Sequence, residues 1–417
     1  MSTRPYAAIM LKVAAMIMLG TSLSGCIPTA IRKDPPPAGS WLVLLCRAAD
    51  DNQEPQPRDF YETLFNRGQR DLVFDYFDRT SNHMVDVSAT EVYGWFPMNV
   101  NTADIAPNVR NNAMPVTRTQ TARDCRASAL GSITATGTIV DPANYAGIIT
   151  VINVPVDSGA AGEKSVVLSR QAENEVGFVA HEMLHVLGAQ HSWRTSPDSS
   201  TDHVWQHGGD VEYNDCWDMM SFRTCVFTFQ TARGAQGPEL QGAYREKLGW
   251  LPAGRVETVG GYPPGKTSIT LAPVSDPGKP GPLLAKVEVF NRQNPGQYVL
   301  EYRERDGFDK GIPASAVVIR ELRNNGTTYL VQRQGGATAW RKGDTFTDNG
   351  NNLSITVDDI VSGGAKITIN TAYSQNPPQP GDWCGDKYRG EVLSCPAGTQ
   401  CAARMGGGLV TTEYFCD

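Results

Sequence analysis

His181-Glu182-Met183-Leu184-His185-Val186-Leu187-Gly188-Ala189-Gln190-His191 holds three of the six histidines in a chain of 417 residues. On a helix, residues four apart lie one turn above each other on the same face, so His181 and His185 can grip one ion. Glu182 stands about 100° round the helix from His181, beside such an ion rather than pointing at it. That position suits a carboxylate that handles water. Gly188 lets the backbone turn left-handed after the second ligand, which a residue with a side chain does only at a cost. His191 then swings back as a third ligand and leaves a fourth tetrahedral position open to water. Three protein ligands with one open position predict a single catalytic Zn2+; a closed four-ligand site would predict a structural ion.

The supporting helix starts near Glu175. Val176, Val179, Ala180, Met183, Leu184 and Leu187 recur at helical spacing and form one apolar stripe, with His181 and His185 on the other side. Trp41-Leu42-Val43-Leu44-Leu45-Cys46, Ile148 to Val154 and Ser165 to Ser169 are apolar runs suited to buried strands. Phe60 to Asp78 is helical in pattern, and Val85 to Phe96 alternates as a strand does. Strands and helices interleave from 41 to 191, which predicts helices packed on a twisted mixed sheet and an α+β class overall.

A chain this long accommodates two or three domains. Its net charge of −7 gives no basic excess, so nucleic acid is not an expected partner. Residues 1–25 read as an export signal: Arg4 and Lys12 precede a short apolar core, Val13 to Leu19. Leu23-Ser24-Gly25-Cys26 resembles a bacterial lipobox, with lipid on the Cys26 thiol anchoring the chain to a membrane. An ordinary secretory signal is the alternative. Residue 27 is Ile rather than Asp, which by resemblance to Gram-negative lipoproteins implies the outer membrane or cell surface. Residues 26–40 form a proline-rich tether. Nine cysteines less Cys26 leave eight, an even number that suits an oxidising compartment. Cys216 and Cys225 can close a short loop. Cys46 and Cys125 are either a long-range pair or buried thiols. Cys384, Cys395, Cys401 and Cys416 cluster in the tail.

Asn214-Asp215-Cys216-Trp217-Asp218-Met219-Met220-Ser221-Phe222 follows about thirty residues after the histidines. H-E-x-x-H-x-x-G-x-x-H followed by such a methionine turn resembles the metzincin zinc metalloproteases, and within them the gametolysin-like and immune-inhibitor-A-like bacterial proteases. The resemblance implies a catalytic domain over residues 41–252, zinc on His181, His185 and His191, Glu182 as general base, and Met220 as the turn methionine, with Met219 as the other choice. It also implies an extended peptide bound along a sheet edge, placed at Lys164 to Ser169. Some metzincins carry a ligating Tyr two residues after the methionine; here that residue is Phe222. The stretch from Cys26 to Trp41 is too short for a folded pro-domain with a cysteine switch.

Pro238 to Leu248 reads as a helix with Leu240, Tyr244 and Leu248 on one face and Gly249 at its cap. Residues 253–373 show short alternating runs separated by Gly, Pro, Asn and Asp, which predict a β-sandwich. Asp344, Asp348, Asn349 and Asn351 make calcium conceivable, but a solvated hairpin turn accounts for them better. Residues 374–380 are a linker, and 381–417 form a small module stapled by cysteines. Trp383, Tyr388, Tyr414 and Phe415 there suit either a polymer-binding surface or a passive cap. The expected activity is hydrolysis of protein or peptide substrates by a monomer. The alternative is a surface-anchored adhesin whose zinc site is not catalytic.

Overall fold

The computed structural model describes residues 31–32, 39–107, 116–170, 175–195, 206–207, 210–221, 225–260, 265–289, 297–323, 326–333, 336–349, 352–371 and four short strands after residue 382. The expected signal segment, Cys26, most of the tether and the linker lie outside them. Among the described residues no helix is long and apolar enough to cross a membrane. The chain is α+β.

The first sheet contains β1 (Leu42–Arg47), β2 (Glu91–Pro97), β3 (Ile148–Ile152), β4 (Gly159–Ala161) and β5 (Ser165–Ser169), in the order β2-β1-β3-β5-β4. The first four in that order are parallel, and β4 runs antiparallel to β5 at the edge. Both faces of β1 are covered, which explains its unbroken apolar run. Val43 and Leu45 pack with the helices α1 (Arg58–Phe65), α2 (Val73–Thr80) and α4 (Val176–Leu187). Leu42, Leu44 and Cys46 pack against α3 (Arg118–Ala135) on the other face, where Cys46 is bonded to Cys125.

Four expectations change. Lys164 to Ser169 is not the sheet edge: Gly159–Ala161 folds back over it through Glu163 and Lys164, both at positive φ. A Gly-Ala-Ala strand carries little β-propensity, so composition hides it. The Phe60–Asp78 helix is broken between Asn66 and Leu72, where Asp71 turns left-handed (φ 56°) and its N–H donates to Asp75 Oδ2 at 2.9 Å, opening α2. The strand expected from Val85 begins only at Glu91. The helix expected from Pro238 shrinks to α5 (Gly242–Lys247), because Glu239 N–H and Gln241 N–H donate to the carboxylates of Asp309 and Asp218 instead. Its C-terminal end is closed by Gly249 at φ 74°, with Trp250 N–H to Arg245 O and Gly249 N–H to Glu246 O.

The second half is built on a sheet that ignores the expected boundary at residue 253. Strands Val256–Gly260, Leu284–Glu288, Gln297–Arg303, Ala316–Leu322 and Thr328–Leu330 continue into Trp193–Arg194, Asp210–Glu212 and Gln206–His207, which follow His191 directly. One face of this sheet shares a core with a four-stranded sheet made of Lys266–Leu271, Gly364–Thr371, Leu353–Val361 and Thr345–Asp348. The other face packs on Trp217 and α5 through Val318, Leu330, Val299 and Leu284. In the tail, Trp383–Asp386, Glu391–Val392, Cys401–Met405 and Thr412–Cys416 form a sheet whose register sets Cys401 opposite Cys416. The pairing of Cys384, Cys395, Cys401 and Cys416 lies outside the described side chains.

Candidate metal centre

α4 carries the first two histidines, and its end supplies the means to hold them. Gly188 sits at φ 106°, a conformation that favours glycine. The turn brings the Ala189 carbonyl back toward the helix, where it accepts from His185 Nδ1 at 3.0 Å. His181 Nδ1 donates to the carbonyl of Met219 at 2.8 Å, and His191 Nδ1 to Glu212 Oε1 at 2.8 Å. A carbonyl or carboxylate oxygen only accepts, so all three imidazoles carry their proton on Nδ1 and keep the Nε2 lone pair. The ring centroids are 4.6 Å apart for His185 and His191, 4.7 Å for His181 and His185, and 5.8 Å for His181 and His191. One donor atom from each falls within 4.8 Å of the others, so the group can hold a metal ion.

The electrostatics agree with the tautomers. Burial depresses His181, and burial with the neighbouring histidines depresses His185 and takes His191 down to about 3. The rings are therefore neutral near neutral pH, the form in which imidazole binds metal. Glu182 is 7% exposed, and its Oε2 accepts from the Ala160 N–H at 2.6 Å. Burial raises it above the usual carboxylate range, while His185, the Ala160 amide and Arg118 act the other way. A carboxylate so placed holds and releases a proton more evenly than a surface one. The ring of Tyr213 lies 3.9 Å from that of His191, and burial pushes its phenol up to about 12, so it stays protonated.

The methionine turn works through its backbone. The Met219 carbonyl orients His181, and the Met220 carbonyl accepts from the N–H of Ser192, the residue after His191. Both side chains are buried in the core beneath α4. Cys216 and Cys225 form a disulfide that brackets the turn in sequence. With Cys46–Cys125, it marks a chain suited to an oxidising or extracellular environment. Phe222 lies outside the described residues.

Below the turn runs a dry charge network. Asp215 accepts from Arg320 Nε at 2.5 Å, and Arg320 Nη1 donates to Glu301 at 2.5 Å. Arg303 donates to Glu301 at 3.0 Å and to Asp309 at 2.6 Å and 2.7 Å. Arg245 pairs with Glu239, and Asp218 accepts from Ser192 and Gln241. Burial by itself would raise Glu301, but Arg320 and Arg303 outweigh it and hold the carboxyl down to about 2.

His181, His185, His191, Glu182 and Gly188 thus converge where the sequence puts them. Of the candidate calcium residues, Asp344 accepts from Arg333 and the Arg341 N–H and Asp348 from Tyr298, while Asn351 lies outside the described residues. Glu212, Tyr213, Ala160 and the charge network were not foreseen, since no fixed spacing ties them to the histidines. Set against family models and curated proteins, the chain matches none.

Proposed function

We propose that the chain is a zinc-dependent endopeptidase of metzincin type that hydrolyses extracellular or surface proteins. One observation carries this: three neutral imidazoles with converging donor atoms stand beside a buried carboxylate held by a backbone amide rather than by a cation. Nitrogen donors suit zinc better than they suit calcium or magnesium, which prefer oxygen. When bound, zinc supplies a Lewis acid that activates water near neutral pH and polarises a scissile carbonyl. Glu182 then takes the proton of the attacking water and returns it to the leaving amine. Its burial favours holding that proton through the interval between the two transfers. An extended peptide fits beside the edge strand β4 rather than β5. There the Ala160 amide is already engaged by Glu182, while its carbonyl keeps one lone pair for a substrate N–H.

In this reading residues 41–252 carry the catalytic groups, the β-sandwich of residues 253–373 shares its larger sheet with strands that follow His191, and 381–417 are a cysteine-stapled module. The protein works as a monomer, tethered to the outer membrane or cell surface through Cys26. The test is casein hydrolysis by the full chain, with zinc, with a chelator, and with zinc restored. Glu182→Ala should retain one zinc per chain and lose at least about a hundredfold in turnover. Undiminished cleavage by that variant removes Glu182 from the mechanism. Casein left intact in every metal state turns the assignment to a surface adhesin.

A further inference from the structure

β4 has only three residues, and β5 binds one side of it. The amide and carbonyl of one strand residue point to the same side, and those of Ala160 point away from β5. The amide donates to Glu182, and the carbonyl accepts from Arg118 Nη1 at 2.9 Å. Arg118 opens α3, and each of its three guanidinium nitrogens donates here. Nε donates to the Asp157 carbonyl at 3.2 Å and Nη2 to Asp157 Oδ1 at 2.8 Å. The group also packs directly on Gly159, where a β-carbon would stand 2.6 Å from Nη1 and 2.7 Å from Cζ. One planar cation therefore holds the chain on both sides of Gly159, whose φ of 148° a residue with a side chain rarely adopts, and β4 in turn grips the carboxylate.

We propose that Arg118 is a positioning residue for Glu182. It fixes β4 so that the Ala160 amide orients one carboxylate oxygen and leaves the other for the proton of water. Lysine cannot replace it, because a point charge on a flexible stem does not reproduce a planar three-donor grip. The catalytic consequence rests on the peptidase reading; the mechanical one does not.

The test uses the zinc-loaded full chain and two readouts: hydrogen exchange of the Ala160 amide, and kcat and KM on a peptide that the wild type cleaves. In Arg118→Ala the Ala160 amide should exchange at least about tenfold faster, and kcat should fall by about ten- to a hundredfold with KM moving less than about threefold. Zinc content should stay at one per chain. Added ethylguanidinium should slow the exchange and restore part of kcat, which a general loss of packing does not allow. Arg118→Lys should stay impaired. Arg118→Lys, which keeps a cation on a flexible stem, carries the test if Arg118→Ala does not fold. Unchanged Ala160 exchange in Arg118→Ala or Arg118→Lys overturns the proposal, as does a kcat within about threefold of wild type. If the wild type cleaves nothing, the peptidase reading fails, while the exchange data still decide whether Arg118 holds the strand.

Discussion

The histidine pocket and the charge network under the methionine turn lie on either side of Met219 and Met220, and they are built on opposite terms. The pocket is neutral: its rings are depressed in proton affinity, each is satisfied on Nδ1, and His191 and Glu212 remain 24% exposed. The network is ionic and dry, with five carboxylates (Asp215, Asp218, Glu239, Glu301, Asp309) and three arginines (Arg245, Arg303, Arg320) at most 1% exposed. A buried charge is tolerated only while its partners stay in place. Altering the pocket should therefore change chemistry with little effect on folding, and altering the network should do the reverse.

The largest effect tests how far the network binds the two halves together. A chain ended after residue 252 keeps Asp215, Asp218, Glu239 and Arg245 but loses Glu301, Arg303, Asp309 and Arg320, along with the strand Thr328–Leu330 that pairs with Trp193–Arg194. The fragment should not give a cooperative unfolding transition. A fragment that folds and binds zinc would show that the second half is an appendage. At one residue, Arg320→Met takes the paired cation from Asp215 and leaves Glu301 with Arg303 as its cation, which should cost about 3–5 kcal/mol in denaturant unfolding.

This contrast also explains what the sequence discloses. The zinc signature is local: ligand spacing, Gly188 and the stripe from Val176 to Leu184 all belong to one helix and its end. The buried strands β1, β3 and β5 are equally plain, because both of their faces are apolar. α3 is hidden because its buried side is made of Thr121, Ala122, Cys125, Ala129 and Ile133, too small and mixed to form a visible stripe. Glu301 and Arg303 alternate with Leu300 and Tyr302, which reads as a strand with one wet face; in fact that face lies against Trp217, α5 and the methionine turn. Glu212 carries no signal, since its place beside His191 is set by pairing with Trp193 in the second sheet.

A smaller effect separates the two regions by pH. In the metal-free protein His191 titrates at about 3 in place of its ordinary 6.5, so below pH 6.5 the unfolded chain binds more protons than the folded one. Stability then rises with pH, and falling from about pH 7.5 to about pH 5 should remove about 2 kcal/mol through His191 alone. Glu182 acts in the opposite sense: its raised value adds stability below the usual carboxylate range, and that contribution is lost as pH rises through its folded value. In the network Glu301, held at about 2, stays ionised over this interval, whereas burial raises Asp215 and Glu239, so their contribution, like that of Glu182, is lost as pH rises. Denaturant unfolding of metal-free wild type and His191→Asn at the two pH values provides the check, and a stability difference between them that does not change with pH would show that the His191 ring is not held neutral by the fold.

The smallest expected effect falls on the one histidine whose orienting group is a side chain. His181 and His185 are aimed by backbone carbonyls that no substitution removes, whereas His191 depends on Glu212. Glu212→Ala deletes the acceptor and frees the ring to rotate, which should weaken zinc about tenfold in a competition titration. Glu212→Gln keeps an acceptor oxygen but loses the charge that strengthens the Nδ1 bond, so it should fall between Ala and wild type. Neither change should shift the unfolding of the metal-free protein as Arg320→Met does, because the Glu212 side chain keeps access to water. Equal zinc affinity in all three proteins would mean that the second sheet, which brings Glu212 to the pocket, supports the fold without tuning the metal.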